Sequence, residues 1–277
     1  MLPAVLLAGG LLAATLVRLA PGFAVDEREL DPRLNASSRD AIARDRAADS
    51  NIGRYYWNYL AGLAHGDLGQ SISLRRPVKE LLIERAGTTL RSVAAGLAIA
   101  WTAALLVAIA LEIFRRPLLD LFATILSGGA LCLPAAVLAL VFLYLGAAPA
   151  HALAGVLFPR VFRYVRNVIR QAARLPHVLA ARARGAGELR IIAAHILVPA
   201  APELIALAGV SVSMAVGAAV PVEVLCDSAG VGQLIWQAAM ARDLAVLVNV
   251  TLLIVALTLT ANLLADAGRV AVRQEQA

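Results

Sequence analysis

Charge is scarce in this chain: of 277 residues, 16% are Asp, Glu, Lys or Arg and 60% are hydrophobic. Soluble domains carry about 25% charged residues to cover their surface, so a water-soluble domain is excluded and a polytopic membrane protein is indicated. Lysine is nearly missing; 24 of the 25 basic residues are arginine, and the exception is Lys79. Cysteine is limited to Cys132 and Cys226, far apart in apolar surroundings, which reads as buried thiols rather than a disulfide framework. The chain lacks G-x-x-x-x-G-K-[ST], H-E-x-x-H and G-x-S-x-G, and its four histidines (His65, His151, His177, His195) are scattered. The chain therefore reads as no enzyme, with no catalytic, cofactor or metal site of its own. A file of carboxylates or histidines through the apolar runs is missing too, as is any internal repeat, which argues against a proton-coupled carrier.

What is present is a series of apolar runs. A bilayer core of about 30 Å takes roughly 20 helical residues to cross. Five runs meet that length: Leu2–Ala20, Thr89–Phe114, Leu118–Leu145, Ala200–Leu225 and Leu244–Val270. A sixth, about Ala150–Val165, is interrupted by Pro159 and Arg160. The first run shows no small-x-small cleavage pattern before Pro21 and reads as a retained span.

Arginine placement supplies the direction. Arg160–Arg190 holds eight arginines and one acid, Glu188, and Arg115–Arg116 and Arg269/Arg273 flank other runs. Asp26–Arg85 carries ten acids and ten bases. Excess positive charge marks the cytoplasmic side, so the expectation is an all-α protein of about six spans, N-in and C-in. Its parts are a first span (1–20), an external region (21–88) and a core of five spans (89–277) with a cytoplasmic loop at 166–199. The pI near 10.0 then follows from membrane topology and requires no nucleic acid. Within the external region, Arg54–Ala64 concentrates Tyr55, Tyr56, Trp57 and Tyr59, as an interfacial helix or an aromatic packing cluster would. Gly66-Asp67-Leu68-Gly69 reads as a turn, and Pro77–Arg85 as a short charged helix leading into the second span.

Three places carry specific expectations. Leu179–Arg184 is a run of good helix formers, Gly185 and Gly187 permit a reversal, and Ile191, Ile192, Ile196 and Leu197 restart an apolar face before Pro199 and Pro202. Such a segment suits a partner's groove, whose motion it would pass to the spans; an arginine-rich loop on anionic headgroups is the plainer alternative. Gly230-Val231-Gly232 lacks the lysine of a phosphate cradle and reads as an external re-entrant turn or a tight connection. Glu223, two residues after Pro221, is either a gate-lining carboxylate or a structural pair with an arginine or backbone group.

Taken in order, these motifs resemble the binding-protein-dependent ABC-importer permeases, specifically their oligopeptide/dipeptide/nickel branch. The resemblance rests first on Ala181-Arg182-Ala183-Arg184-Gly185 with His195 and Pro199, similar to that branch's A-R-A-K-G coupling core and the histidine ten residues on. Further matches are Arg18-Leu19-Ala20-Pro21-Gly22, Gly66-Asp67-Leu68-Gly69-Gln70-Ser71, Arg76-Pro77-Val78 and Thr88-Thr89-Leu90. Val222-Glu223-Val224-Leu225, Gly230-Val231-Gly232-Gln233-Leu234, Ala241-Arg242-Asp243 and Asn262-Leu263-Leu264-Ala265-Asp266 complete the order. Arg184 stands for the family's lysine, Leu179 for the glutamate of the general EAA pattern, Ala229 for a proline and Leu244 for a tyrosine.

The resemblance implies a permease subunit of an ATP-driven importer in a bacterial-type inner membrane. Ala180, Ala181, Arg182, Ala183, Arg184, Gly185, His195 and Pro199 would couple to separate ATPase subunits, which alone bind ATP and Mg. Glu223, Gly230, Gly232, Arg242 and Asp243 would form an external gate or contact for a solute-binding protein, with Gly66, Asp67 and Gly69 as an external turn. A second permease subunit and the lipid bilayer are the remaining partners, and peptide is the family-weighted cargo. A secondary transporter or channel is the alternative.

Overall fold

The computed structural model describes residues 66–276, with Thr15 and Gly62 ahead of them. The expected first span and the aromatic segment Arg54–Ala64, apart from Gly62, lie outside the described residues. Helices account for nearly all of what is described: α1 (Val78–Phe114), α2 (Pro117–Cys132), α3 (Ala135–Tyr144), α4 (Pro149–Ala172), α5 (Pro176–Ala183), α6 (Glu188–Leu225), α7 (Val231–Met240) and α8 (Leu244–Gln276). Among the described residues the one extended pairing is an isolated bridge between Gln70 and Pro77.

Three helices, α1, α6 and α8, are long and apolar enough to cross a membrane, and α2 with α3 makes a fourth if that bent pair is one span. Two expectations are corrected here. The charged segment after Pro77 is no separate helix, because α1 runs unbroken for 37 residues, about 55 Å at the helical rise. The run Leu118–Leu145 is no straight span either; α2 and α3 meet at 107°. Leu133 there is extended (φ −85°, ψ 135°). A residue before proline is pushed out of the helical region, and Pro134 offers no N–H to continue the ladder.

The described residues fall into two compact units. One takes in residues up to Ala86 together with Leu234–Ala256. Its buried apolar set is Val78, Leu81, Leu82, Leu234, Ala238, Leu244, Val246, Val248 and Val250. The other comprises Gly87–Gln233 and Leu257–Ala277. There α4 packs on α2, α3 and α6, and its buried stripe (Leu153, Leu157, Val161, Val165, Ile169) recurs at the three-to-four-residue spacing of one helical face. Small residues set the close approaches. Gly155 of α4 lies directly under the Phe142 ring of α3, and a Cβ on Gly209 of α6 would stand 2.5 Å from Ala265 Cβ of α8.

Candidate functional site

The segment joining α4 to α6 takes its shape from two local devices. The first is the end of α5. Ala186 N donates to Ala181 O (3.2 Å) and Gly185 N to Arg182 O (2.9 Å), the paired bonds of a Schellman stop. Gly185 sits at its left-handed position, φ +78°, which a Cβ would disfavour. Gly187, by contrast, has φ −64° and needs no glycine for its backbone. The second device is proline-driven. Pro199 cannot donate to the carbonyl four residues back, His195 O, and Ile191–Leu197 takes the wider π-helical form. His177, on α5, places Nε2 2.9 Å from that carbonyl, a bond that requires the proton on Nε2. Ile191, Ile192 and Ile196 are buried beneath it.

One face of α5 is held inward by charge. Arg182 reaches Glu112 at the end of α1 (3.4 Å) and Glu188 at the start of α6 (3.8 Å). Arg166 of α4 bridges Glu112 (3.3 Å) and Asp120 of α2 (2.9 Å), and Arg170 adds a second contact to Asp120 (3.2 Å). Arg115 closes the set on Glu188 at 2.9 Å. Five helices thus converge on seven charges, with Glu112 only 9% exposed at their centre. The opposite face is open: Leu175, Leu179, Ala180, Ala183, Arg184 and Gly185 are exposed. Leu179 (58%) and, at the start of α6, Leu189 (75%) present apolar side chains to the outside. Of the eight residues expected to couple, Ala181 is buried and Arg182 turned inward; His195 acts through its main-chain carbonyl.

The remaining expected residues separate into two constellations. In the larger unit, Glu223 is buried (1% exposed) and its Oε2 accepts the Gly232 N–H at 2.7 Å. Val231 N donates to Thr89 Oγ1 at 2.7 Å, so two opening N–H groups of α7 are capped by side chains from α1 and α6. Both glycines serve this carboxylate. A Cβ on Gly230 would fall on it, and one on Gly232 would lie 2.7 Å from Val220 Cα. Of the two readings of Glu223, the structure displays the pairing with a backbone group; the side chain does not line an opening.

In the smaller unit, Asp243 is likewise buried (1%). Its Oδ2 accepts Ser71 Oγ (2.6 Å), Ser73 N (3.0 Å) and Ser73 Oγ (2.8 Å), and its Oδ1 accepts Val246 N (3.3 Å). The last bond makes Asp243 the N-cap of α8. Gly66 (φ +77°) and Gly69 (φ +73°) turn the strand-like lead-in. Gly69 N bonds Asp67 Oδ1 at 2.8 Å, and Asn249 Nδ2 bonds Leu68 O at 2.8 Å. Arg242 is exposed, with φ +54°. Asp243 itself therefore offers no surface to a partner in this structure.

Residues 100–275 match the family described as the binding-protein-dependent transport system inner membrane component. The chain belongs to this family. As an inner membrane component of a binding-protein-dependent system it is a multi-pass permease subunit of an ABC importer and no enzyme; ATP hydrolysis lies in separate subunits. It is 28% identical to a Brucella suis biovar 1 (strain 1330) protein named as a peptide permease, over 94% of this chain and 91% of that one. It is 25% identical to the nickel import system permease protein NikB of Staphylococcus aureus (strain MRSA252), over 92% and 83%. Both are consistent with the oligopeptide/dipeptide/nickel branch. A chain from the inward-facing MetNI methionine ABC transporter superposes with a TM-score of 0.61 at 22% identity, covering 70% of this chain and 97% of that one. At that identity the likeness speaks to the fold.

The charge network of this permease was not anticipated from its sequence, although a signal was present. Glu112, Asp120 and Glu188 are the only acids between Glu84 and Glu203, and Glu112 shares Arg166 with Asp120 and Arg115 and Arg182 with Glu188. Thr89 as a helix cap and Ser71 and Ser73 as donors to Asp243 are not evident from the sequence either, although Thr89 and Ser71 belong to motifs that stand out there.

Proposed function

We propose that this permease carries a small peptide, or nickel in chelated form, as one of two transmembrane subunits of an importer in a bacterial inner membrane. In this reading the chain has six spans with both termini inside, and the arginine excess of the α4–α6 connection assigns it to the cytoplasm. There the open face of α5 seats on an ATPase subunit, which binds ATP and Mg. The observation that carries this reading is the two-sidedness of α5: Leu179 and Gly185 face outward while Arg182 and His177 tie the other side to α1 and α6. A short helix held in that way passes a partner's movement to the spans as a rigid body. A solute-binding protein docks externally, on the side that carries Gly66, Asp67, Gly69 and the exposed Arg242. Asp243 serves that side by fixing its backbone, while Glu223, Gly230 and Gly232 fix the start of α7 within the larger unit.

Co-purification tests the assignment. The chain is expressed with its candidate ATPase and second permease, solubilised gently, and assayed for ATPase retention. Gly185→Asn, which tolerates a left-handed backbone, should retain the ATPase. Gly185→Trp should lose retention and transport while still inserting in the membrane. Absence of the ATPase from the unaltered chain in more than one detergent would return the channel or carrier alternative to the front.

A further inference from the structure

A cavity of about 320 Å³ lies among α2, α3, α4 and α6, within the range of small-molecule sites. Its walls include Leu131, Leu138, Leu157 and Met214, and its charged and hydroxyl groups are Arg160 and Ser213. Arg160 is the twelfth of the 24 residues of α4 and follows the buried Pro159. About two and three turns further on, Arg166 is bonded to Glu112 and Asp120 and Arg170 to Asp120. Arg160 has no ion pair or hydrogen bond among the described residues. Across the cavity, Gly217 has nothing within 4 Å of where a Cβ would stand, so the α6 wall recedes there. α4 is not among the helices apolar enough to cross a membrane by composition, and Arg160 is exposed on it, so its guanidinium is open to a ligand where it borders the apolar chamber.

We propose that this cavity is a solute-contact station on the transport path, in which the Arg160 guanidinium takes a carboxylate of the passing solute. The inference deepens the importer assignment and rests on it. A guanidinium offers its planar fork to a carboxylate, Ser213 supplies a rotatable hydroxyl, and the leucine and methionine walls accept varied apolar side chains. A single charge pair in an otherwise apolar chamber holds a solute loosely enough to release it, as a conducting path requires. The same positive charge repels a bare divalent cation. Nickel would pass only inside a carboxylate-bearing chelate, so peptide and chelate present the same chemistry to this site.

The test uses the full chain assembled with its ATPase and second permease in lipid nanodiscs. Cys132→Ala and Cys226→Ala remove the native thiols, and Ser213→Cys puts a reporter thiol in the wall. Its reaction rates with an anionic sulfonatoethyl and a cationic trimethylammonioethyl methanethiosulfonate read the local potential. Arg160→Gln should lower the anionic-to-cationic rate ratio about tenfold, the effect of one nearby charge at intermediate dielectric; Arg160→Lys, which keeps the charge, should preserve most of the ratio. Alanyl-alanine should protect the thiol while its C-terminal amide does not, or nickel with histidine should protect while nickel alone does not; which pair responds identifies the source of the carboxylate. Three outcomes overturn the site: no labelling by either reagent, as in a cavity sealed by lipid; a ratio unmoved by Arg160→Gln, as when a partner subunit's acid neutralises it; or protection by neither free acid. Any of these with the ATPase still bound refutes the site alone, whereas loss of the ATPase from the unaltered chain refutes the importer assignment.

Discussion

His177 Nε2 stands 2.9 Å from the carbonyl oxygen of His195, the acceptor that Pro199 leaves without its usual helical donor. The side chain of the coupling helix thereby completes the backbone of the next membrane helix at the point where that helix turns π-helical. Losing such a bond costs about 1 kcal/mol, too little to unfold the subunit but enough to loosen α5. His177→Ala should therefore insert and fold normally, retain part of the ATPase, and lower transport severalfold. The check is transport rate against thermal midpoint in the same detergent. A parallel fall in both would reduce the bond to plain stability.

Glu112 holds the network together, because it alone touches Arg115, Arg166 and Arg182. Removing one partner of a largely buried ion pair leaves charge without compensation, a loss of about 3–5 kcal/mol when burial is complete. Water reaches the rim of this cluster, so Glu112→Ala should cost less, about 2–3 kcal/mol. Glu112→Gln, which keeps hydrogen-bonding capacity, should cost about half as much. A cycle of Glu112→Gln and Arg182→Gln, read by thermal unfolding, should show coupling between the two sites. Additive losses would mean that the pair at 3.4 Å contributes nothing as a pair.

The Glu223 cradle makes a sharper steric prediction. A methyl group at Gly230 would occupy the position of the Glu223 carboxylate, so Gly230→Ala must expel that side chain from its pocket and release the Gly232 N–H. Displacing a buried, bonded carboxylate places this among the more damaging single substitutions, at about 2–4 kcal/mol. Glu223→Ala should be milder than Gly230→Ala, since it vacates space rather than forcing a clash. Thermal midpoints of the two variants decide the order, and equal stability of Gly230→Ala and the unaltered chain would sink it.

Much of the architecture was legible because membrane helices announce themselves by length and apolarity; α8 starts with its apolar run and α6 ends with its own, although α6 begins twelve residues earlier, at Glu188. The bend between α2 and α3 has a signal in the sequence, Pro134, which the continuous apolar run around it conceals. Gly185 was readable since a left-handed stop has a residue preference. What could not be read was pairing at a distance: Arg182 meets Glu112 across 70 positions and Ser71 meets Asp243 across 172. Composition says only that a few acids sit among many arginines, and the fold decides which of them touch. Arg160 illustrates the same limit, since along the chain it merely interrupts a weak apolar run, and only the packed helices disclose that it borders a cavity.

Asp243 explains why two motifs far apart in the chain travel together. Its carboxylate serves at once as the N-cap of α8 and as acceptor for Ser71 and Ser73, so the Gly66–Ser73 turn and the start of α8 are one construction. Both oxygens are occupied, and the group is out of contact with water. Asp243→Ala would strip the cap, worth about 1 kcal/mol, and strand buried donors at about 1–3 kcal/mol more. Asp243→Asn retains one acceptor oxygen for either the serines or the cap, and should lose about half of that. Ser71→Ala removes the single bond at 2.6 Å and should cost about 1–2 kcal/mol, since the acceptor is charged. The order Ala, Asn, Ser71→Ala in thermal midpoint is the expected result. A solute-binding-protein affinity that falls in proportion to stability would mean Asp243 acts only by holding the turn, whereas lost affinity at unchanged stability would require the carboxylate to leave its pocket and meet the partner directly.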